Sequence, residues 1–285
     1  MSVQDVSAQP HPGVEEVGPQ TALGITDVTY RYAPGSPDVL RGLSLQVSRG
    51  TTMGVVGPSG CGKSTLLSLV AGLREVDGGR VEVHSFDPGR QTVAMMFQKD
   101  TLLPWKTVEQ NIRLYYRFKK PRDRKAVDEL VAELIDLAHL NGYEKMYPYQ
   151  LSGGQRRRVA LLSAVAAQPE LLLLDEPFSA LDEPTRLAIH QDVLRIMKRM
   201  EMSAILVTHD LAEAISLSDE VSILTAGPGR VAGCHSVPFG RDRDVLALRK
   251  TPEFLSMYGV LWDELSAQIR ASAASPGTPA TDEEG

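Results

Sequence analysis

The chain has 285 residues, of which 42% are hydrophobic and 23% charged, and its formal net charge is -6. This length suits one sizeable or two smaller globular units, and one α/β domain with a small satellite is expected because single cores stop growing at about 250–300 residues. The acidic balance argues against nucleic acid as the main partner, since proteins that bind it usually carry a basic surface. Two cysteines, Cys61 and Cys234, are too few for a disulfide framework and lack metal-ligand spacing, so a reduced, intracellular compartment is expected.

No stretch of the sequence is expected to span a bilayer, which requires about 20 mostly apolar residues. The most apolar region, residues 159–174, is interrupted by Ser163, Gln168 and Glu170. The N-terminus lacks a basic start followed by an apolar run, so no secretory signal is expected. If the protein acts at a membrane, other chains must hold it there.

Short apolar segments alternate with helical patterns along residues 21–265, between tails predicted to be flexible at 1–20 and 266–285. In chain order, the patterns predict strands at 23–32, 43–47 and 52–56, helices at 64–73 and about 127–138, and buried strands at 171–174, 204–207 and 221–224. Continuous apolar strands that alternate with helices are typical of a parallel sheet covered on both faces.

Residues 57–64 match the phosphate-binding pattern G-x-x-x-x-G-K-S, between a predicted strand and a predicted helix. Glycines let successive N–H groups face phosphate oxygens, and the helix adds its positive N-terminus. Lys63 would contact the β- and γ-phosphates, and the Ser64 hydroxyl would bind Mg²⁺. Cys61 is interpreted as a small filler residue, although a helix N-terminus could lower a thiol pKa. The candidate residues of this loop are Gly57, Pro58, Ser59, Gly60, Cys61, Gly62, Lys63, Ser64 and Thr65.

Two carboxylates, Asp175 and Glu176, follow the four leucines of the predicted strand at 171–174. At the carboxyl edge of a parallel sheet, Asp175 would lie beside the phosphate loop and hold Mg²⁺. Glu176 would face an attacking water and act as general base. These features indicate a P-loop NTPase, a class that includes kinases, GTPases, helicases and motors.

Residues 151–155 read LSGGQ, where two glycines open another helix and form a second backbone nest for phosphate. A second nest makes chemical sense if it covers the γ-phosphate of ATP held by a different subunit. The motif resembles the signature of the ABC ATPase family. A P-loop kinase would not explain the presence of LSGGQ. The following Arg156, Arg157 and Arg158 are interpreted as a solvated helix face.

The resemblance covers nearly all of residues 23–265 and implies a P-loop core with a mainly parallel sheet, an antiparallel β subdomain and a helical subdomain inserted at about 99–160. It implies that Tyr32, with Tyr30 as the weaker candidate, stacks on adenine, and that Ser163 replaces a usual arginine without loss of catalysis. The implied catalytic residues are Lys63, Gln98, Glu176 and His209, the metal-binding residues Ser64, Gln98 and Asp175, and the further nucleotide-binding residues Ser152, Gly153, Gly154, Gln155 and Asp182, the last at a dimer seam.

The strings LLPW at residues 102–105 and GPGR at 227–230 resemble the nitrate/sulfonate/taurine branch of ABC importers. This implies an ATPase that uses ATP and Mg²⁺ at the cytoplasmic face of the cell membrane. The implied partners are a second ATPase subunit, identical or a paralogue, two permease subunits and, indirectly, a solute-binding protein, with no nucleic acid. The alternative is a soluble ABC ATPase that acts as an assembly or regulatory factor without a permease. Trp105 is interpreted either as subdomain core or as part of a docking surface for a membrane subunit.

Overall fold

The computed structural model describes residues 20–87, 90–99, 101–119 and 123–274, so that residues 1–19 of the predicted N-terminal tail lie outside the described part. A three-stranded antiparallel sheet has the strand order β2-β1-β4. Its strands are β1 (Thr21–Tyr30), β2 (Leu40–Ser48) and β4 (Gly78–Val83). This sheet is the antiparallel subdomain implied by the resemblance.

A second sheet of six strands has the order β5-β6-β7-β3-β8-β9. Its strands are β3 (Thr52–Val56), β5 (Gln91–Met96), β6 (Pro169–Asp175), β7 (Ser203–Val207), β8 (Glu220–Leu224) and β9 (Val231–Ser236). All neighbours pair in parallel except β9, which is antiparallel to β8. Strands β3 and β7 are buried along their whole length, as their continuous apolar sequences predict. The carboxyl ends of β3, β6 and β7 therefore meet at one edge.

Helices cover this sheet and form the inserted subdomain. Those of the core are α1 (Lys63–Val70), α6 (Glu183–Met200), α7 (Leu211–Leu217), α8 (Val245–Leu248) and α9 (Pro252–Ala274). Those of the subdomain are α2 (Val108–Ile112), α3 (Leu114–Phe118), α4 (Arg124–Leu137) and α5 (Gly153–Val165), with a short 3-10 turn at Pro148–Gln150. The buried faces of α4, α5 and α6 share one apolar cluster with strand β6, so the subdomain packs directly on the core.

The structure differs from several predicted boundaries, among them the following three. Strand β1 ends at Tyr30, which leaves Tyr32 in a loop, and α1 ends at Val70. Helix α9 continues to Ala274, although a flexible tail was predicted from residue 266. Buried Leu265 anchors the helix, and the following alanines, glutamine and arginine favour helix over coil. Within the described part of the chain, no helix is both long and apolar enough to cross a membrane.

Candidate nucleotide-binding site

The phosphate loop connects β3 to α1 at the carboxyl edge of the parallel sheet. Gly62, at the N-terminus of α1, has a φ of 98°, a left-handed conformation that favours glycine. Lys63 is buried, and its ammonium donates hydrogen bonds to the carbonyls of Gly57 at 2.9 Å and Pro58 at 3.0 Å. The lysine charge is thus held against the loop that the motif assigns to phosphate.

The GPGR string packs against this loop. A Cβ on Gly229 would lie 2.1 Å from the carbonyl oxygen of Cys61, closer than real contacts allow. The Gly229 amide donates to the carbonyl of Val39 at 2.8 Å, which fixes this approach. The GPGR string therefore packs closely on the phosphate loop, a contact that the sequence pattern does not reveal.

Cys61 lies at the base of the same loop and is fully buried. Burial raises the pKa of its thiol above the usual value, with Lys63 as the first opposing influence. The suggestion that a helix N-terminus could lower the thiol pKa is therefore wrong, because loss of solvation prevails. The interpretation of Cys61 as a filler residue agrees with this environment.

Ser64 and Asp175 meet where α1 faces the end of β6. The Ser64 hydroxyl donates to Asp175 Oδ1 at 3.0 Å. Burial is the largest influence on the pKa of Asp175 and raises it; the Ser64 hydrogen bond opposes this shift, and the negative charge of Glu176 adds to it. A hydroxyl and a partly desolvated carboxylate beside a phosphate loop are hard oxygen ligands that fit Mg²⁺. Among the described residues there is no group of three or more His, Cys, Asp or Glu that could hold a metal ion.

We expect Asp175→Asn to abolish hydrolysis while leaving the nucleotide-free protein at least as stable as the parent at about pH 8. A carboxyl whose folded pKa is raised contributes stability at low pH, and this contribution is lost as pH rises through the folded pKa. The amide avoids that loss, so the stability difference should shrink toward about pH 4. Thermal unfolding across this range without Mg²⁺, beside hydrolysis assays, checks both parts. A variant less stable than the parent at about pH 8 would contradict the assigned cause.

Glu176, Gln98 and His209 come together at the same edge. Glu176 Oε2 accepts a hydrogen bond from Gln98 Nε2 at 3.2 Å and lies 3.1 Å from His209 Nδ1. Glu176 has a φ of 41°, a strained backbone conformation for a residue with a side chain. Its amide donates to the carbonyl of Val207 at 2.9 Å, which holds this turn. The carboxylate thus faces the two side chains that the resemblance assigns to the same reaction.

The LSGGQ segment forms the N-terminus of α5. Ser152 and Gln155 make a reciprocal cap, in which the Gln155 amide donates to Ser152 Oγ at 3.2 Å and the Ser152 amide to Gln155 Oε1 at 2.9 Å. A Cβ on Gly154 would lie 2.5 Å from the Thr185 methyl group, so glycine allows the segment to pack against α6. The capped turn presents an ordered nest, and its contact with ATP of another subunit remains a prediction.

Asp182 begins α6 next to this nest. Its exposed carboxylate accepts a hydrogen bond from the Thr185 amide at 3.3 Å. The pKa of Asp182 is lowered, first by the Thr185 side chain and second by this backbone contact. The carboxylate is therefore an ordered N-cap on an accessible surface, where the predicted dimer seam would place it.

The three arginines after the signature are not a solvated face. Arg157 is buried and donates to the carbonyls of Phe97, at 3.1 Å, and Gln98. Arg158 is mostly buried and pairs with Asp192 at 2.9 Å. The prediction is wrong because it relied on the usual exposure of arginine side chains. The sequence does not distinguish a buried arginine from an exposed one. Arg157 is thus a site residue that the sequence analysis missed.

Tyr32 is 60% exposed, and its hydroxyl lies 2.8 Å from Thr65 Oγ1, just behind the phosphate loop. The Arg74 guanidinium lies 5.0 Å from the centre of the Tyr32 ring. Tyr30 is only 6% exposed because its ring packs in the core, so neither face of the ring is open to adenine. Of the two candidates, Tyr32 alone has a geometry that permits stacking.

Ser163, where the family usually carries arginine, lies outside this constellation. Its hydroxyl donates to the carbonyl of Val159 at 2.8 Å, one turn earlier in α5. Such a contact satisfies the hydroxyl within its own helix. The departure is therefore a local feature of α5.

The chain matches the family described as ABC transporter over residues 40–179. It is 45% identical over 227 residues to the aliphatic sulfonates import ATP-binding protein SsuB of Bacillus licheniformis, covering 78% of this chain and 87% of that protein. It is 39% identical to the nitrate import ATP-binding protein NrtC of Synechococcus elongatus, covering 81% of this chain and 36% of that protein.

Among solved structures, the dimeric bacterial ABC transporter cassette MJ0796 is similar, with a TM-score of 0.65 at 27% identity over 75% of this chain and 98% of that one. A dimeric post-hydrolysis state of the same cassette, bound to ADP and Pi, has a TM-score of 0.63 at 27% identity with the same coverage.

Proposed function

Because this chain belongs to the ATP-binding proteins of the ABC transporter family, we propose that its ATP hydrolysis energises uptake of a small sulfonate or nitrate-like anion. It is the nucleotide-binding ATPase subunit of an ABC importer. The similarity to named sulfonate and nitrate import proteins supports the substrate class. The same names favour an importer over a soluble factor that works without a permease.

The observation that carries the proposed mechanism is the convergence of Gln98 and His209 on Glu176 Oε2, within 3.2 and 3.1 Å. A carboxylate held by two polar side chains is oriented to accept the proton of an attacking water. His209 is 61% exposed on its side chain, so the imidazole can also reach a γ-phosphate at the open edge. Lys63 would release the carbonyls of Gly57 and Pro58 to contact phosphate instead.

Mg²⁺ would be held by Ser64 and Asp175, which contact each other, and by Gln98, whose side chain donates to Glu176 in this structure. When bound, such a cation neutralises charge that develops on the phosphate oxygens. Burial raises the pKa of Asp175 because it disfavours the charged carboxylate, so a bound cation would stabilise the ionised form. Ser64 and Asp175 would thus provide oxygen ligands, and the next residue in the chain, Glu176, would be the general base.

Two copies of the chain, or this chain and a paralogue, would close head-to-tail around two ATP molecules. In each site, the phosphate loop and catalytic residues of one copy would meet residues 152–155 of the other. The ordered nest at Ser152 and the exposed cap at Asp182 support this assignment. Closure would reorient two permease subunits that receive solute from a binding protein, with this chain peripheral at the cytoplasmic face of the membrane.

The docking surface for a permease is proposed at the LLPW string. Trp105 is 70% exposed, which excludes the interpretation of this side chain as subdomain core. Buried Asn111 shapes the loop: its side chain accepts from the Leu103 amide at 2.8 Å and donates to the carbonyls of Leu103 and Lys106. Phe97 is 41% exposed and belongs to the loop that holds Gln98. Exposed aromatic side chains at Trp105 and Phe97 suit contact with a helix from a membrane subunit.

We expect Trp105→Ala to weaken association with the permease about tenfold or more, because loss of an exposed aromatic anchor removes interface energy. ATP hydrolysis by the isolated chain and its thermal stability should stay close to those of the parent. Co-purification with membrane subunits measures the first effect. Phe118→Ala, which removes an aromatic side chain that is 83% exposed, is the matched control. A destabilised Trp105 variant would instead indicate a role in packing.

The proposed substrate class is tested with membranes that contain this chain and the permease encoded beside it. Hydrolysis is measured after addition of binding proteins loaded with an alkanesulfonate, taurine or nitrate. Stimulation of hydrolysis by one loaded binding protein would identify the class of transported substrate. Hydrolysis without stimulation or stable association with the permease would leave the ATPase intact and support the soluble-factor alternative.

A further inference from the structure

The loop that carries Gln98 has little support of its own. Phe97, Gln98 and Lys99 follow the end of β5 and are all exposed. Gln98 and Lys99 therefore contribute little buried surface to hold the backbone, and Phe97 is only partly covered. The catalytic amide nevertheless needs a fixed position, since positioning of a reacting group depends on distances of about 3 Å.

Arg157 supplies contacts to this loop from the signature helix. It is the fifth residue of α5, it is 5% exposed, and its two terminal nitrogens donate to the consecutive carbonyls of Phe97 and Gln98. Burial of a guanidinium costs solvation free energy, which these charge-assisted hydrogen bonds offset. A planar fork on two successive carbonyls restricts the backbone more than a single hydrogen bond does.

The loop held by Arg157 also contacts the catalytic carboxylate. The Gln98 side chain donates to Glu176 Oε2, which also lies beside His209. Ser152 of the predicted phosphate nest caps the helix that carries Arg157. The backbone of α5, the Arg157 hydrogen bonds and the Gln98 side chain thus connect the start of this helix to the predicted base of the same chain.

We infer that Arg157 is a positioning residue that fixes Gln98 against Glu176 from the signature helix, so that this helix and the Gln98 loop move as one unit. The inference rests on the proposed function, in which the nest at Ser152 covers the ATP of the other copy. Contact with that ATP then also sets the position of Gln98 in the chain's own site. The two sites of a dimer are coupled through this arginine.

The test uses mixed dimers in which one copy carries Glu176→Gln, so that a single site, built on Glu176 of the other copy, can hydrolyse ATP. Arg157→Met is placed in either copy. In the copy that supplies Glu176, it should lower kcat about tenfold or more with the KM for ATP changed less than about twofold. In the other copy, the effect should be much smaller. Equal loss from both placements, or loss only from the copy with Glu176→Gln, would mean that Arg157 merely stabilises the signature helix and would overturn the inference.

A second measurement does not need a dimer. In the isolated chain without nucleotide, Arg157→Met should increase the fast backbone motion of residues 97–99, measured by NMR as lower order parameters, and Arg157→Lys should recover part of the order. The control Arg199→Met removes an arginine that joins α6 to Glu133 of α4 at 2.5 Å, far from this loop in sequence, and should change neither readout. Unchanged order parameters in Arg157→Met overturn the inference. Failure of the parent to form ATP-dependent dimers would instead count against the proposed function, and the order parameters would still decide the role of Arg157.

Discussion

Glu176→Gln should lower kcat for ATP hydrolysis at least about 100-fold, the usual effect of removing a general base, while ATP binding persists. Gln98 and His209 contact one oxygen of Glu176, and glutamine retains one oxygen acceptor, so the geometry of the edge should survive. The amide also removes a negative charge that would repel the γ-phosphate. We therefore expect the variant to accumulate as an ATP-bound dimer that the parent forms only transiently.

Size-exclusion chromatography with ATP, compared with ADP, measures the trapped dimer, and phosphate release measures kcat. Glu129→Gln is the matched control, because it removes an exposed carboxylate of α4 whose partner is Lys125. The control should hydrolyse ATP and elute like the parent. Normal turnover in Glu176→Gln would contradict its assignment as the base, and monomeric protein with bound ATP would contradict the proposed closed dimer.

The parts of the site that could be predicted are those in which a short segment determines its own structure. Glycines and a lysine at fixed spacing form the loop at residues 57–64 wherever a strand feeds a helix. Four leucines before Asp175 likewise predict a strand buried on both faces, and β6 is such a strand. The fold class followed from the alternation of these units, because parallel strands require covering helices.

The parts that could not be predicted depend on contacts between distant segments. Arg157 and the loop at Phe97 are 60 residues apart, and exposed and buried arginines look alike in the sequence. The choice between Tyr30 and Tyr32 depended on where β1 ends, and the position of Gly229 depended on which loop it packs against. The extent of α9 was missed because the tail was predicted from its small, Pro-bearing and acidic residues, although the alanines, glutamine and arginine after buried Leu265 favour helix.

Two inactive variants should restore hydrolysis when they are mixed, which is the strongest expected consequence of a shared site. Lys63→Met removes the buried ammonium that faces the phosphate loop, so that copy cannot hold the β- and γ-phosphates. Gly153→Asp places a carboxylate in the nest that would cover the other copy's ATP. A Cβ at Gly153 has ordinary contacts only, with Leu181 at 3.7 Å and Arg156 at 3.9 Å, and an acidic residue suits a helix N-terminus, so this variant should fold.

A mixed dimer combines the phosphate loop of the Gly153→Asp copy with the intact nest of the Lys63→Met copy, and one complete site results. If copies exchange at random, half of the dimers are mixed and each has one complete site, so activity should reach about a quarter of the parental value. Hydrolysis is measured for each variant alone, for the mixture, and for a mixture of Lys63→Met with a double variant that carries both changes. That last mixture has no complete site and should stay inactive. If the first mixture is as inactive as its components, residues 152–155 do not act on the nucleotide of the other copy, because a mixed dimer would contain both intact halves of one site.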